Sequence, residues 1–135
     1  MKRINFIIVL LISFSIGCGL NKPDPIKAKE LVEKLLADLK ANNYANLNLY
    51  YTDTFNDSEP LDKKTEKYQK MKDALGNIDS YEFVDSKESN QVEGVPALNL
   101  TYKVKYGTMT LNYSFIIIKD EGKHKITFQN METKN

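Results

Sequence analysis

The stretch ALNLTYKVKYGTMTLNYSFIII, residues 97–118, decides the fold class of this chain. Apolar and polar residues alternate before the central Gly107-Thr108 pair and alternate again after it. Such alternation is typical of a β-strand with one buried face and one face in water. Two alternating runs joined by two turn-forming residues predict a β-hairpin, and therefore an antiparallel sheet.

The register of this hairpin follows from its apolar residues. With Gly107-Thr108 as a two-residue turn, glycine is expected at the position that requires a positive φ. The apolar side chains then pair across the two strands, as Tyr106 with Met109, Val104 with Leu111, Tyr102 with Tyr113, and Leu100 with Phe115. A slip of one residue would turn the apolar side chains of one strand into water, so the register is well specified.

Strand-like segments flank the hairpin on both sides. SYEFVDSKES, residues 80–89, precedes it and is joined to it by residues 90–96. KDEGK, residues 119–123, predicts a tight turn into a last strand, HKITFQNM, residues 124–131. The register of that last strand stays open, because the three consecutive isoleucines at 116–118 are apolar on both faces.

The chain before the sheet has helical periodicity. Asp24 and Pro25 form a helix start. The apolar residues that follow recur at helical spacing: Ala28, Leu31, Val32, Leu35, Leu36 and Leu39. Residues 44–55 predict a shorter second helix, and a third runs from Leu61 to a stop at Gly76. Together these segments predict an α+β domain, with three N-terminal helices packed on a four-stranded antiparallel sheet.

The first residues have the order of a secretory signal peptide. Lys2 and Arg3 give a positive start, the apolar run INFIIVLLISFSI covers residues 4–16, and small residues surround Cys18, the only cysteine in the chain. The run is short for a membrane span, which needs about 20 residues, and a transmembrane anchor is the alternative. The lone thiol is either lipidated, buried or left free as a reactive group.

The sequence SIGC, residues 15–18, resembles the signal of bacterial lipoproteins, in which a small residue precedes a cysteine that becomes lipidated. Gly17 and Cys18 match that pattern, whereas Ser15 stands where the signal usually has Leu, Val or Ile. The resemblance implies a signal peptide at residues 1–17, a lipidated cysteine and tether at residues 18–24, and a single α+β domain at residues 25–135. It also implies export to the bacterial cell envelope and attachment to the membrane through lipid on Cys18, with a tether of at most roughly 20 Å.

Three stretches carry a resemblance of the domain itself: LLADLKANNYANLNLYYTDTF, residues 35–55; MKDALGNIDSYEF, residues 71–83; and TYKVKYGTMTLNYSFIIIKDEGKHKITFQNM, residues 101–131. They resemble the first helices, the entry to the sheet and the closing hairpins of the nuclear transport factor 2-like superfamily, also described as cystatin-like. The resemblance is to small bacterial members of unknown function, and it implies a cone-like fold in which a curved sheet wraps a long helix. Because such a fold hosts many functions, the resemblance implies no particular activity.

Charge and composition argue against several function classes. Lys2 and Arg3 precede Cys18, so the remaining chain has 17 basic and 18 acidic residues and a net charge of −1. That balance lacks the basic surface with which proteins grip nucleic acids, and no nucleic-acid partner is expected. The sequence contains no phosphate-binding glycine loop, nucleophile motif or metal-ligand spacing, so we expect neither a cofactor nor a metal.

Two features remain as candidate sites. His124 is the only histidine, and its position just past a tight turn favours an edge residue over an inward-facing acid or base. A set of aromatic side chains is expected on the concave face of the sheet, where it could line a ligand cleft together with His124: Tyr81, Phe83, Tyr102, Tyr113 and Phe115. Filling of the core by the same side chains is the simpler interpretation.

These observations predict a lipid-anchored envelope protein that is not an enzyme and that binds a small apolar ligand or another envelope protein. The alternative is a small enzyme that works inside the cone with His124 as acid or base, which requires a carboxylate within hydrogen-bond reach. A third hypothesis is a structural or inhibitory partner of another protein, which would co-purify with that protein instead of with a small molecule.

Overall fold

The computed structural model of the protein describes residues 21–133. Its elements are α1 (Pro25–Lys40), a 3₁₀ helix (Leu47–Tyr50), α2 (Asp53–Ser58), α3 (Leu61–Leu75), β1 (Ile78–Ser89), β2 (Ala97–Tyr106), β3 (Thr110–Asp120) and β4 (Lys123–Thr133). The predicted signal peptide, Cys18 and the first residues of the predicted tether lie outside the described residues. No helix within residues 21–133 combines the length and the apolar character that a bilayer crossing requires.

Helix α1 begins where the sequence predicts. The Asp24 side chain accepts a 2.8 Å hydrogen bond from the backbone N–H of Ile26, and Pro25 occupies the first turn. The residues that face the sheet are buried: Ala28, Val32, Leu35, Leu36 and Leu39. Just beyond the helix, Asn42 takes the left-handed conformation, with a φ of 57°, as expected for asparagine at a helix end.

The second helix of the prediction is broken in two. Its first half is the 3₁₀ helix, and its second half overlaps α2, whose N-cap Thr52 accepts from the N–H of Phe55. Between these halves Tyr51 and Thr52 are extended, and the Thr52 N–H donates to the Ile126 carbonyl of β4 at 2.9 Å. The prediction of one continuous helix is wrong, because bonding to β4 outweighs the weak helix propensity of this asparagine-rich segment.

Helix α3 and the strands follow in the predicted order. α3 ends at Gly76, whose φ of 87° and ψ of −174° lie in a region that only glycine occupies readily. The strands are neighbours in the order β1-β2-β3-β4, and all three pairings are antiparallel. The prediction of an α+β protein is confirmed, with three α-helices and an open four-stranded antiparallel sheet.

The central hairpin has the predicted register. Val104 lies opposite Leu111, Tyr102 opposite Tyr113, and Leu100 opposite Phe115, and the Tyr106 N–H donates to the Met109 carbonyl at 2.8 Å. Except for Met109, which is exposed in the turn, the apolar partners lie in the core on the face of the sheet that α1 covers. The opposite face of β2 and β3 carries polar residues: Asn99, Thr101, Lys103, Asn112 and Ser114.

The turn of this hairpin differs from the prediction. Gly107 does not have a positive φ; the positive φ at this corner belongs to Gly76. A Cβ atom on Gly76 would lie 3.7 Å from the backbone nitrogen of Gly107, and Thr108 Oγ1 donates to the Leu75 carbonyl at 3.2 Å. The turn therefore packs against the end of α3. This packing, and not a positive φ at Gly107, accompanies the observed turn conformation.

The pairing of β3 with β4 settles the register that the isoleucines left open. Ile117 continues the alternation of Phe115 in β3 and joins the core, while Ile116 lies on the other face, opposite Phe128. A β-bulge in β4 between Ile126 and Phe128 places Ile126 in the core opposite Ile117 and turns Phe128 to the other face. The turn between the strands has φ values of 49° at Glu121 and 78° at Gly122. Two consecutive positive φ values are typical of the type I′ turn of a two-residue hairpin, as the sequence KDEGK predicts.

Candidate functional site

Five of the six residues predicted to line a cleft come together on the helix-covered face of the sheet. Tyr102, Tyr113 and Phe115 are fully buried, and Tyr81 and Phe83 are partly buried beside them. The rings of Phe83 and Tyr102 meet edge to face at 5.5 Å, and those of Tyr102 and Phe115 at 6.2 Å. Because these are the distances of packed aromatic pairs, the side chains fill the core in this region.

His124, the sixth residue, lies apart from this group. β4 pairs Gln129 with Phe115, which places His124 five residues, or about 17 Å, away along the strand. His124 is partly buried, and its Nε2 accepts a 2.9 Å hydrogen bond from the backbone N–H of Asp24. The histidine therefore contacts the start of α1 and not the aromatic core.

The charge state of His124 suits this hydrogen bond. Burial lowers the pKa of the His124 imidazole below 6.5, the nearby Lys119 and Lys27 lower it further, and Asp24 partly opposes them. A neutral imidazole has one ring nitrogen that can accept a bond, whereas a protonated one has none. The environment thus favours the form of His124 that binds Asp24.

The three residues before α1 are fixed to the sheet, and we call residues 22–24 the N-terminal lead. Lys22 Nζ lies 2.8 Å from Glu88 Oε1 on β1, Pro23 is buried, and Asp24 bonds to His124 on β4. The lead therefore contacts both edge strands of the sheet. Part of the segment that the sequence assigns to a tether is thus held against the domain.

A pocket of about 530 Å³ lies between the N-terminal lead and the loop of residues 90–96. Its apolar lining comes from Pro23 of the lead, Val92 and Val95 of the loop, and Leu98 at the start of β2. The Lys22–Glu88 ion pair also lines it, with both side chains largely exposed. This volume lies in the range of small-molecule sites, and apolar walls with a few polar groups are their usual composition. We call this cavity the lead pocket.

Buried hydroxyl groups connect the helical segments to the sheet elsewhere in the core. Tyr51 OH donates to Gln129 Oε1 at 2.6 Å, and Gln129 Nε2 donates to Tyr68 OH at 2.6 Å. Burial raises the pKa of Tyr51 well above its usual value and that of Tyr68 to about 12. Both phenols therefore remain protonated, and the cluster is a structural bridge between the segment before α2, helix α3 and β4.

A second hydroxyl pair lies nearby, and a third hydroxyl has no partner. The hydroxyls of Tyr106 and Tyr113 are hydrogen-bonded to each other. Within residues 21–133, the Tyr102 hydroxyl is the only buried side-chain polar atom without a hydrogen-bond partner. Burial, together with the charge of Glu33, raises the pKa of Tyr102, so this group stays a neutral hydroxyl that loses its hydration without compensation.

Lys64 of α3 is completely buried. Its Nζ donates to Asn48 Oδ1 at 2.8 Å, to Asn56 Oδ1 at 2.9 Å and to the Glu59 carbonyl, and it lies 4.8 Å from the centre of the Tyr51 ring. Burial lowers the pKa of Lys64, and the charge of Glu59 partly opposes this. The ammonium group thus ties the 3₁₀ helix and α2 to α3, in a site that leaves it inaccessible to a substrate.

The outer face of the sheet offers a second, more polar surface. A shallow groove of about 420 Å³ runs across it, lined by Val84, Thr101, Asn112, Ser114 and Asn130 among others. Val84 and Phe128, which lie on the two edge strands of this face, are 45% and 49% exposed, which is high for apolar side chains.

The sequence interpretation missed Lys64 and the lead pocket. A signal for Lys64 existed, because it stands between Leu61 and Tyr68 at helical spacing, on the apolar side of α3. The lead pocket had no comparable signal, since its walls are brought together from the lead, a loop and a strand. Within residues 21–133, no three His, Cys, Asp or Glu side chains are placed to hold a metal ion.

Comparison with known proteins leaves the fold and the geometry as the basis for a functional proposal. No protein-family model matches the sequence, and no curated protein matches it significantly.

Proposed function

We propose that this protein is a lipid-anchored protein of the bacterial cell envelope, not an enzyme, that binds a small apolar ligand in the lead pocket. The observation that carries the proposal is the position of that pocket: its lining includes Pro23, five residues after the cysteine of the lipoprotein-like signal. The anchor at Cys18 and the pocket would then belong to the same end of the domain. A ligand that resides in the membrane would reach the pocket without crossing water.

The chemistry of the pocket supports an apolar ligand. Pro23, Val92, Val95 and Leu98 provide apolar contact, and the net charge near −1 after Cys18 gives no preference for a highly charged partner. The exposed Lys22–Glu88 pair can orient one polar group of the ligand at the entrance. A molecule with an apolar body and a small polar head fits this combination.

The proposal includes the finer description of the fold. We propose that the sheet and α1 form a cone-like, cystatin-like arrangement of the kind found in the nuclear transport factor 2-like superfamily. Two features support it: α1 contacts β1, β2 and β4 on one face of the sheet, and the remaining helical segments precede the sheet in the chain. In this arrangement the aromatic core occupies the interior, which leaves the end of the sheet for binding.

An enzyme that uses His124 is the less supported candidate. Nε2 of His124 already accepts a hydrogen bond from Asp24, and His124 lines neither the lead pocket nor the outer groove. Binding of another envelope protein is supported by the outer groove and the exposed Phe128 beside it. Co-purification of a protein that is lost on Phe128→Asp substitution would favour this candidate over the small ligand.

The test begins with the mass of the protein extracted from its own membranes, compared with a Cys18→Ala variant. We expect a chain that starts at Cys18 and carries a diacylglycerol adduct, and we expect the variant to lack the adduct. An unmodified chain would contradict the anchor.

Native mass spectrometry of the same sample tests the pocket. We expect a noncovalent apolar ligand on the wild type and on Val84→Arg, which alters a valine of the outer face, and its loss from Val92→Arg, which places a charge in the pocket wall. Retention of the ligand by Val92→Arg, or absence of a ligand from every sample, would contradict ligand binding in the lead pocket.

A further inference from the structure

We propose that one end of the domain rests on the bilayer, with the lead pocket opening toward the lipid. We call this the anchor-side end; it comprises the N-terminal lead, the start of α1, the loop of residues 90–96 and the β3–β4 turn. The inference rests on the lipid anchor of the proposed function. It adds the orientation of the domain on the bilayer, which places the opening of the lead pocket at the lipid surface.

The length of the chain between Cys18 and the lead limits how far the domain can lie from the bilayer. Four residue steps separate Cys18 from Lys22, which corresponds to at most about 14 Å of fully extended chain. Lys22 is held by Glu88, and Asp24 by His124. The domain could therefore move farther from the bilayer only if these contacts broke and released the lead. An acyl group on Cys18 would keep the anchor-side end within reach of the headgroups.

The topology places three features at this end: the β1–β2 loop, the β3–β4 turn and the start of α1. Lys22 and Asp24 connect the start of α1 to β1 and β4. The β2–β3 turn, the end of α3 and the end of β4 lie at the far end, because neighbouring strands are antiparallel. Only one of the two ends can therefore face the bilayer while the lead remains bound.

Among residues 21–133, two apolar side chains at the anchor-side end are exposed. Ile26, in the first turn of α1, is 70% exposed, and Val95, at the pocket, is 38% exposed. Burial of such side chains in the interface stabilises contact with a bilayer by about 25 cal/mol per Å² of apolar surface. This end carries charges of both signs, Lys27 and Lys123 as well as Glu93 and Glu121, so the contact does not depend on anionic lipid.

Met109 supplies a matched control at the far end. It is 39% exposed in the β2–β3 turn, nearly the same fraction as Val95. Single cysteines introduced as Ile26→Cys, Val95→Cys and Met109→Cys can each be labelled with a nitrobenzoxadiazole fluorophore, because an acylated Cys18 has no free thiol. The full-length acylated protein is then reconstituted into vesicles of phosphatidylethanolamine and phosphatidylglycerol that contain nitroxide-labelled lipid.

We expect nitroxide quenching at positions 26 and 95 to be severalfold stronger than at position 109. The same contrast is expected in vesicles of phosphatidylcholine. Equal quenching at positions 95 and 109 in an acylated protein would overturn the orientation but leave the proposed anchor intact. Labelling of the wild-type chain, which requires a free thiol at Cys18, would instead overturn the anchor itself and the orientation with it.

Discussion

The backbone N–H of Asp24 donates a 2.9 Å hydrogen bond to Nε2 of His124, which lies 100 positions later in the chain. The Asp24 side chain meanwhile accepts from the N–H of Ile26 and caps α1. One residue thus starts the first helix and binds the last strand. The only histidine of the protein serves to hold the N-terminal lead, and its protonation state decides whether it can.

The stability of the domain should therefore depend on pH near neutrality. The folded-state pKa of His124 is below its unfolded value of 6.5, so the stabilisation by the neutral ring is complete above 6.5 and is lost as the pH falls through the folded pKa. We expect the free energy of unfolding to fall by at most about 1 kcal/mol, the value of one partly exposed hydrogen bond. Urea denaturation at about pH 7.5 and about pH 5 measures it.

A His124→Gln variant is the control for this titration. Glutamine keeps an acceptor but does not titrate, so the decrease between the two pH values should shrink in the variant. If the free energy of unfolding decreased by the same amount in the variant, the pH dependence would be due to the carboxylates and not to His124.

Lys64→Met should destabilise the protein by about 2–4 kcal/mol, since it leaves two asparagine oxygens and a carbonyl of the buried site without their donor. Lys67→Met on the same helix is the comparison, because Lys67 forms a more exposed ion pair with Glu59. We expect that variant to lose less than about 1 kcal/mol. Thermal or urea unfolding measures both, and similar losses would show that the buried ammonium group is not special.

Tyr102→Phe should leave the free energy of unfolding unchanged or raise it by about 1 kcal/mol, because it removes a buried hydroxyl that has no partner. Tyr51→Phe should lower it by about 1–2 kcal/mol, since Gln129 Oε1 then loses its donor. The two variants delete the same atom type from the same core. Loss of stability in Tyr102→Phe equal to that in Tyr51→Phe would indicate an internal water on Tyr102.

Gly76→Ala should cost about 1–3 kcal/mol, because its φ of 87° and ψ of −174° are strained for any residue with a Cβ atom. Gly107→Ala should be nearly neutral, since its φ is not positive and the nearest atom to an added Cβ would lie 3.6 Å away, in ordinary contact. The pair separates backbone strain from crowding at the corner where α3 meets the hairpin. The reverse ranking of the two variants would contradict this assignment.

The sequence predicts the hairpin of β2 and β3 well, because the apolar residues of the two strands from Leu100 to Phe115 agree with one face and one register, and only Met109 in the turn is exposed. It fails at Tyr51 and Thr52, where the deciding interaction is with Ile126, far away in the chain. Periodicity describes how a segment buries its own side chains. It contains no information about a backbone bond that a distant strand supplies.

The candidate site illustrates the same limit. The grouping of aromatic residues such as Tyr102 and Phe115 follows from strand alternation and is visible in the sequence. The lead pocket arises instead where Pro23 meets Val95, two residues with no periodic relationship. Gly107 was expected to allow the turn through a positive φ. In the structure the turn is instead held by the hydrogen bond from Thr108 to the Leu75 carbonyl at the end of α3.

The position of β4 in the chain also determines when the native structure can form. His124 holds Asp24, and Gln129 holds Tyr51, so the partners of the earliest segments are synthesised last. Contacts between such distant parts of a chain form slowly and only after the polypeptide is nearly complete. A polypeptide that stays unfolded until its C-terminal strand has emerged remains narrow enough to be threaded through an export channel, as the proposed location in the cell envelope would require.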